Sequence, residues 1–229
     1  LFKDTQIQLN ATLNYFNTFN EHHNVDLMLG AEYYDYNYYS LKASTKNSPT
    51  DDIPTINAGA DKDSNPESLK SRNRIESLFG RFNYDYKQKY LLTFTFRYDG
   101  NSKLKDNRWG FFPGVSFGWN MMEENFWKNS SLSKVVSNIK PRISYGSNGN
   151  VSGIGDFYIY GIYDQQTNYR GNTAFYDRSL VNTALKWEQS HTFEAGLDLG
   201  FFKNRLSFII DYYVRNTSNL LQSVNLPSD

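Results

Sequence analysis

Alternation of apolar and polar residues is the feature that most constrains how this chain can fold. It is clearest from Tyr90 onwards, where one alternating stretch, a polar tip and a second alternating stretch follow one another. One side of the first stretch carries Tyr90, Leu92, Phe94, Phe96 and Tyr98, and the other side carries Thr93, Thr95, Arg97 and Asp99. Successive side chains of a β-strand point to opposite faces, so this period of two predicts half-buried strands. The segment therefore predicts a hairpin with one apolar face and one polar face.

The same alternation recurs along the chain and predicts about eight antiparallel strands, an all-β fold. The predicted strands begin near residues 5, 25, 78, 90, 109, 138, 185 and 206. Aromatic residues make up 17% of the 229 residues, yet the mean hydropathy is −0.66. This combination is typical of many half-apolar strands and not of a helical core rich in Leu and Ala.

The connections between the predicted strands alternate in length. Those near residues 21, 88, 130 and 202 fall at one end, and those at about 44–72, 100–107, 147–184 and beyond 216 fall at the other. Short turns on one side and long outer loops on the other are typical of antiparallel transmembrane β-barrels. Rings gather at the short-turn end, as an interfacial girdle would require: Tyr15, Tyr84, Tyr86, Tyr90, Trp119 and Phe201.

Alternation alone leaves open which face is covered, because a soluble β-sandwich also alternates. Strand length, loop asymmetry and the ring-tipped ends favour the transmembrane barrel. No apolar run reaches the roughly 18–20 residues of a membrane-spanning helix. The start of the chain lacks the pattern of an export signal, and the chain ends abruptly at residues 226–229, so we interpret the sequence as a piece of a longer polypeptide.

Composition and motifs argue against several functions. Lys+Arg and Asp+Glu both number 24, so no net charge would attract nucleic acid. His22, His23 and His191 are too scattered for a zinc site, and we predict no enzymatic activity. Residues 61–65 match the start of a calcium loop, but Pro66 and Arg72 stand where that loop needs Gly and Glu. We therefore expect no cofactor and interpret this segment as a solvated loop, with calcium binding as the minor alternative.

Several ordered motifs resemble the barrel of the SusC/RagA family of TonB-linked outer-membrane transporters. They are RYDGNS at 97–102, NRWGFFPGVS at 107–116, IKPRISYGSNGN at 139–150, LKWE at 185–188 and DYY at 211–213, with Leu226 and Pro227 continuing the match. The resemblance covers at least residues 74–229. Pro141 stands where the family commonly has Leu, and it predicts a bulge or a local strand edge because proline cannot donate a ladder hydrogen bond.

The resemblance implies a bacterial outer-membrane protein with a 22-stranded barrel filled by an N-terminal plug. It implies active import of oligosaccharides or peptides, with TonB acting through a region that this sequence does not include and with a SusD-like surface lipoprotein as a lid. Residues 1–229 then form a barrel segment without the plug domain, in contact with membrane lipid. These statements follow from the resemblance only.

Two groups of residues are candidates for the functional site. Charged residues on the polar face would line the lumen or contact the plug, or would pair with one another: Arg97, Asp99, Arg142, Glu188, Glu194 and Asp198. Aromatic residues of the long outer loop would face the substrate or the lid, or would simply pack within the loop: Tyr158, Tyr160, Tyr163, Tyr169 and Tyr176.

A rival interpretation is a free-standing, closed eight-stranded barrel that acts as an adhesin or a structural protein. First and last strands that do not pair with each other would exclude closure. A third interpretation, a soluble glycan-binding sandwich, would turn its apolar side inwards and predicts that the chain partitions into water without detergent.

Overall fold

The computed structural model describes residues 1–50, 52, 55–64, 66–169, 172–179 and 181–222. Its strands are β1 (Phe2–Phe19), β2 (His23–Lys42), β3 (Thr45–Lys46), β4 (Asp61–Lys62), β5 (Glu67–Tyr86), β6 (Tyr90–Asn101), β7 (Trp109–Trp119), β8 (Val136–Asn150), β9 (Ile162–Tyr169), β10 (Asn172–Ser179), β11 (Glu188–Phe201) and β12 (Leu206–Ser218). Eight of them form one sheet in the order β1-β2-β5-β6-β7-β8-β11-β12, and every neighbouring pair is antiparallel. The predicted all-β antiparallel architecture is confirmed.

The register aligns apolar residues into continuous rows across the whole sheet. One row runs through Tyr15, Leu27, Phe82, Phe94, Val115, Tyr145, Phe193 and Val214. The adjacent row, on the opposite face, runs through Asn14, Met28, Arg81, Thr95, Gly114, Gly146, Thr192 and Arg215. A slip of one residue in any pairing would exchange the two faces, so the alternation fixes the register.

The apolar face is uncovered. Phe94 is 43% exposed, Val115 44% and Phe193 44%, although all three lie on interior strands of the sheet. A sandwich would bury such residues beneath a second sheet. The described residues form only this one large sheet, beside two small hairpins, so the soluble-sandwich interpretation is wrong.

The sheet does not close on itself. Among the described residues, β1 pairs only with β2, and β12 pairs only with β11. Eight strands are enough to close a small barrel when the first strand pairs with the last. The rival prediction of a free-standing eight-stranded barrel is therefore wrong, and the sheet is a segment of a larger structure.

The long connections lie at one end of the sheet, as predicted, but their bounds differ from the expected ones. β5 begins at Glu67, inside the loop expected at 44–72, and that loop also contains the β3–β4 hairpin. The loop expected at 147–184 contains the last residues of β8 and the β9–β10 hairpin. Polar residues occupy both faces of β5 near its start, so these residues show no period of two, yet β2 continues to pair with them up to Lys42.

The shortest ladder of the large sheet, between β7 and β8, has a proline just outside each end. β7 and β8 pair only from Gly114 with Gly146 to Gly118 with Arg142. Pro113 and Pro141 stand immediately outside the two ends of this ladder, where neither can donate a hydrogen bond across it. The prediction of a local edge at Pro141 is confirmed, because β8 keeps only its β11 neighbour at that position.

Tight turns and rings mark the short-turn end. Lys87 and Gln88 both have positive φ, which matches the right-handed twist of a two-residue hairpin. The predicted girdle is partly joined by stacking, with the Tyr90 ring centroid 6.3 Å from that of Tyr86 and 6.4 Å from that of Trp119. The connection between β7 and β8 contains one turn of α-helix, α1 (Asn125–Lys128). None of the helices in the described residues has the length and apolarity to span a membrane.

Glu124 links three parts of this end. Its carboxylate accepts hydrogen bonds from Lys89 Nζ at 2.9 Å, Tyr90 Oη at 2.7 Å and Trp119 Nε1 at 3.3 Å. The hydrogen bond from the Lys89 ammonium, followed by those from Tyr90 and Trp119, lowers the pKa of Glu124 from 4.5 to about 2. The turn at 87–89 is thereby tied to the connection after β7.

The Glu124→Gln variant should lower the melting temperature of the full-length protein at neutral pH. Since the folded pKa lies below the unfolded value of 4.5, the carboxylate stabilises the fold above that pH, and the stabilisation is lost as the pH falls towards 2. The difference between wild type and variant should thus shrink between pH 6 and pH 2.5, measured by thermal unfolding. Glu123→Gln is the matched control, because Glu123 pairs only with Lys128 among the described residues. A decrease in melting temperature of Glu124→Gln that is the same at every pH would contradict this role.

Candidate functional site

Arg97 organises one group of charges on the polar face. Its guanidinium contacts Asp99 on its own strand at 2.8 Å and Glu32 of β2 at 2.9 Å, and it donates to Ser77 Oγ of β5 at 2.9 Å. To reach β2 it crosses β5 above the Phe79 ring, 5.6 Å from the ring centroid. The group joins three strands and, with two carboxylates to one guanidinium, carries a net charge of about −1.

Arg142 of β8 organises a second group. It contacts Glu194 at 2.8 Å and Asp198 at 3.3 Å, both on β11, and it also contacts Asp211 of β12. Gly196 lies between Arg142 and Asp211 in the register. A Cβ at Gly196 would stand 2.6 Å from Asp211 Oδ1 and 2.7 Å from Arg142 Cζ, so only glycine lets the guanidinium lie across β11. Three carboxylates face one guanidinium, and Lys140 stands opposite Asp198 in the register, which leaves a net charge of about −1.

Small side chains separate the two groups. The polar face of β6, β7 and β8 between them carries Thr93, Thr95, Gly114, Ser116, Gly118, Ser144 and Gly146. Thr95 Oγ1 donates a hydrogen bond to the Gly114 carbonyl at 3.5 Å. The strip is therefore polar, and its small side chains keep it low. The polar face therefore presents two negatively charged ridges with a shallow trough between them.

The structure brings together some predicted residues and separates another. Arg97 lies with Asp99, and Arg142 lies with Glu194 and Asp198, as described above. Glu188 stands apart, where it accepts hydrogen bonds from Asn150 Nδ2 at 3.2 Å and from the Leu221 backbone N–H at 3.3 Å.

Two members of these groups were missing from the predicted set. Glu32 and Asp211 alternate onto the polar face in their own strands, so the period of two could have identified them as candidates. The sequence gives no sign of which arginine each one contacts, because the pairing crosses intervening strands.

A small apolar core lies at the long-loop end. Five buried side chains form it: Leu104, Phe112, Val151, Ile154 and Trp187. Trp187 Nε1 donates to the Arg108 carbonyl at 2.9 Å, and Asn107 Nδ2 donates to the Ala184 and Leu185 carbonyls at 3.3 Å. The predicted strand from Leu185 thus begins only at Glu188, because the preceding residues leave the sheet to pack on this core.

The loop aromatics have different positions. Tyr158 packs against the apolar core, whereas Tyr160 is 70% exposed. Tyr163, Tyr169 and Tyr176 lie in the β9–β10 hairpin, and their side chains lie outside the described residues. Asp156 anchors the loop before the hairpin through Lys103 Nζ at 3.3 Å and through Ser71.

Comparison with known proteins places this architecture in a family. A family model described as TonB dependent receptor-like, beta-barrel matches residues 2–229. The chain belongs to this family. It is 41% identical over 165 residues to the TonB-dependent receptor SusC of Bacteroides thetaiotaomicron, and this alignment covers 69% of the chain and 16% of that receptor. It is 36% identical over 220 residues to the TonB-dependent receptor P39 of Formosa agariphila, and this alignment covers 94% of the chain and 21% of that receptor.

Solved structures agree. The match to the RagAB peptide transporter covers 99% of this chain and 25% of the transporter chain, with a TM-score of 0.87 and 28% identity. The open-open state of the RagAB peptide importer matches with a TM-score of 0.85 and 28% identity. The predicted SusC/RagA membership is confirmed, and this TonB-dependent barrel segment spans about a fifth of its curated relatives and a quarter of the solved chains.

Two carboxylates at the start of the possible calcium loop accept hydrogen bonds from neighbouring side chains. Asp61 accepts a hydrogen bond from Asn47 at 2.6 Å, and Asp63 accepts one from Ser44 at 3.1 Å. Within the described residues, no group of three or more His, Cys, Asp or Glu side chains could hold a metal ion. Asn65, the last residue of the predicted motif, lies outside the described residues.

The Gly196→Ala variant of the full-length receptor should separate Arg142 from Asp211. Both side chains can swing away from the new methyl group, so we expect a cost of about 0.5–1 kcal/mol in the free energy of unfolding, from the lost ion pair. Gly146→Ala is the matched control on the same face, because its Cβ would have no atom closer than 3.8 Å.

A double-mutant cycle with Asp211→Asn, followed by denaturant unfolding, tests the mechanism. If Gly196→Ala acts by breaking this ion pair, Asp211→Asn should add little in the Gly196→Ala background. Fully additive costs would show that Gly196 has a different role.

Proposed function

We propose that this chain forms part of an outer-membrane transporter that imports oligosaccharides or peptides actively, energised by TonB. The observation that carries the proposal is the pair of opposed faces, one apolar and uncovered, the other polar with charged ridges. Such a sheet suits lipid on one side and a filled, polar barrel interior on the other. The likeness to the RagAB peptide transporter over 99% of the chain supports the same placement.

The apolar band has the height that a membrane requires. On β5 the alternating apolar side runs from Tyr86 to Leu78 and is followed by Glu76. On β2 it runs from Val25 to Tyr33 and is followed by Asp35. Nine residues in a tilted strand match the roughly 9–11 residues with which transmembrane strands cross a bilayer. We therefore place the aromatic short-turn end at the periplasmic side and the long loops outside the cell.

The proposed interior accounts for the incomplete charge balance of the polar face. The ridges around Arg97 and Arg142 each keep more carboxylates than guanidiniums. Excess carboxylates in a confined interior favour basic partners, whether from a plug domain or from a substrate. Our proposed interior contacts remain Arg97, Asp99, Arg142, Glu194 and Asp198. Glu188 is not among them, because its carboxylate binds Asn150 and Leu221 at the long-loop end.

The partner that we propose at the long-loop end is a SusD-like surface lipoprotein. Support comes from the likeness to the RagAB peptide transporter and to the TonB-dependent receptor SusC. The exposed Tyr160 would form part of the surface that meets the lid or the substrate.

Import measurements on cells that carry the full-length receptor test the proposal. Uptake of labelled peptides and of labelled oligosaccharides is measured in wild-type cells, in cells without the receptor and in cells without TonB. We expect one of the two substrate classes to enter only when the receptor and TonB are both present. Uptake that survives the loss of TonB, or that is the same without the receptor, would contradict active import.

Tyr160→Ala should weaken uptake and leave folding intact, because this ring is exposed at the loop end. Loss of one stacking ring should raise the substrate concentration for half-maximal uptake by roughly threefold to tenfold. Tyr158→Ala is the matched comparison and should lower the melting temperature, because Tyr158 packs on the apolar core. Uptake that is unchanged in Tyr160→Ala would remove this ring from the binding surface.

A further inference from the structure

A notch on the apolar side of the sheet combines two arginines with a tryptophan at the upper border of the apolar band. Its lining residues are Arg74, Glu76, Gly100, Ser102, Arg108 and Trp109, around a cavity of about 110 Å³. The notch lies on β5, β6 and β7, well away from both free edges of the sheet. It is also on the opposite face from the charged ridges, so the proposed transport path does not use it.

The ring of Trp109 forms the lower wall. It stacks on Tyr98 with centroids 4.9 Å apart and an interplanar angle of 11°. It also lies flat over Gly100, where a Cβ would stand 2.8 Å from the indole. Directly below, the apolar band continues with Leu78, 50% exposed, and Phe111, 53% exposed. An indole in this position is typical of the membrane interface.

The two arginines supply positive charge above this ring, which the nearby carboxylates offset only in part. Arg74 and Arg108 are both exposed, and neither forms an ion pair within the described part of the chain. Asp35, the cross-strand neighbour of Arg74, is already engaged by Arg72 through two hydrogen bonds. Glu76 is the one carboxylate that lines the notch, so the lining keeps a net charge of about +1.

We propose that this notch binds the phosphate of a membrane lipid headgroup. Arginine forks match phosphate oxygens, the Ser102 hydroxyl lies beside them, and the acyl chains would lie on the apolar band below Trp109. Basic pockets next to membrane-spanning segments bind anionic headgroups through the same combination of charge and apolar contact. The inference rests on the outer-membrane placement proposed above and assigns a lipid to a surface that import does not require.

Native mass spectrometry of the full-length receptor in mild detergent tests the site, with phosphorylated lipid A as the probe. We expect retention of lipid A to exceed that of its dephosphorylated form. Arg74→Gln and Arg108→Gln should each raise the apparent Kd for lipid A about fivefold. Arg205→Gln is the matched control, because Arg205 is exposed at the short-turn end and its change removes the same charge. Glu76→Gln should tighten binding, a gain that misfolding cannot produce.

Other results would overturn the lipid site. Equal retention of the dephosphorylated lipid would show that phosphate is not recognised, and displacement by millimolar inorganic phosphate would indicate a site for the free ion. An equal loss in Arg205→Gln would reveal general charge attraction. A changed oligomeric state of the arginine variants with unchanged lipid retention would assign the notch to a protein contact. All variants should still enter lipid nanodiscs, and a failure of wild type to do so would instead contradict the membrane placement.

Discussion

The rest of the structure depends on the backbone ladder that joins eight strands in one register. Each strand must pair with its neighbours at the residue that keeps apolar side chains on one side, since a slip of one position would send them to the other. The row from Tyr15 to Val214 shows this constraint satisfied across the whole sheet. The result is a wall with two unlike faces, which needs a different environment on each side.

The two ends of the wall are built by different means. At the short-turn end, tight turns and the Glu124 carboxylate hold the aromatic rings together. At the other end, β7 and β8 separate beyond Pro113, and long loops pack the core around Phe112 and Trp187. Backbone hydrogen bonds and charge thus stabilise one end, and apolar burial stabilises the other.

The polar face shows how charges are accommodated on a wall of this kind. Arg97 and Arg142 reach across neighbouring strands instead of pairing with the nearest residue. The Arg142 contacts depend on the missing side chain of Gly196, so the charge arrangement and the backbone composition are coupled. Both groups keep excess negative charge, which suits an interior filled by a separate domain or by substrate.

The sequence alone determined the strand type, the order of short and long connections, the ring-rich end and the family. It could do so because a period of two, a turn and a motif are all local properties of the chain. It placed the strand ends less well: β5 starts in a polar segment with no visible alternation, and the segment with Trp187 leaves the sheet for the loop core.

Only the tertiary structure decided that the sheet stays open, that Glu32 and Asp211 join the arginine groups, and that Glu188 stands apart. These outcomes depend on which residues meet across strands that are distant in the sequence. The alternation states which face a residue occupies, whereas contact also depends on register and on side-chain reach.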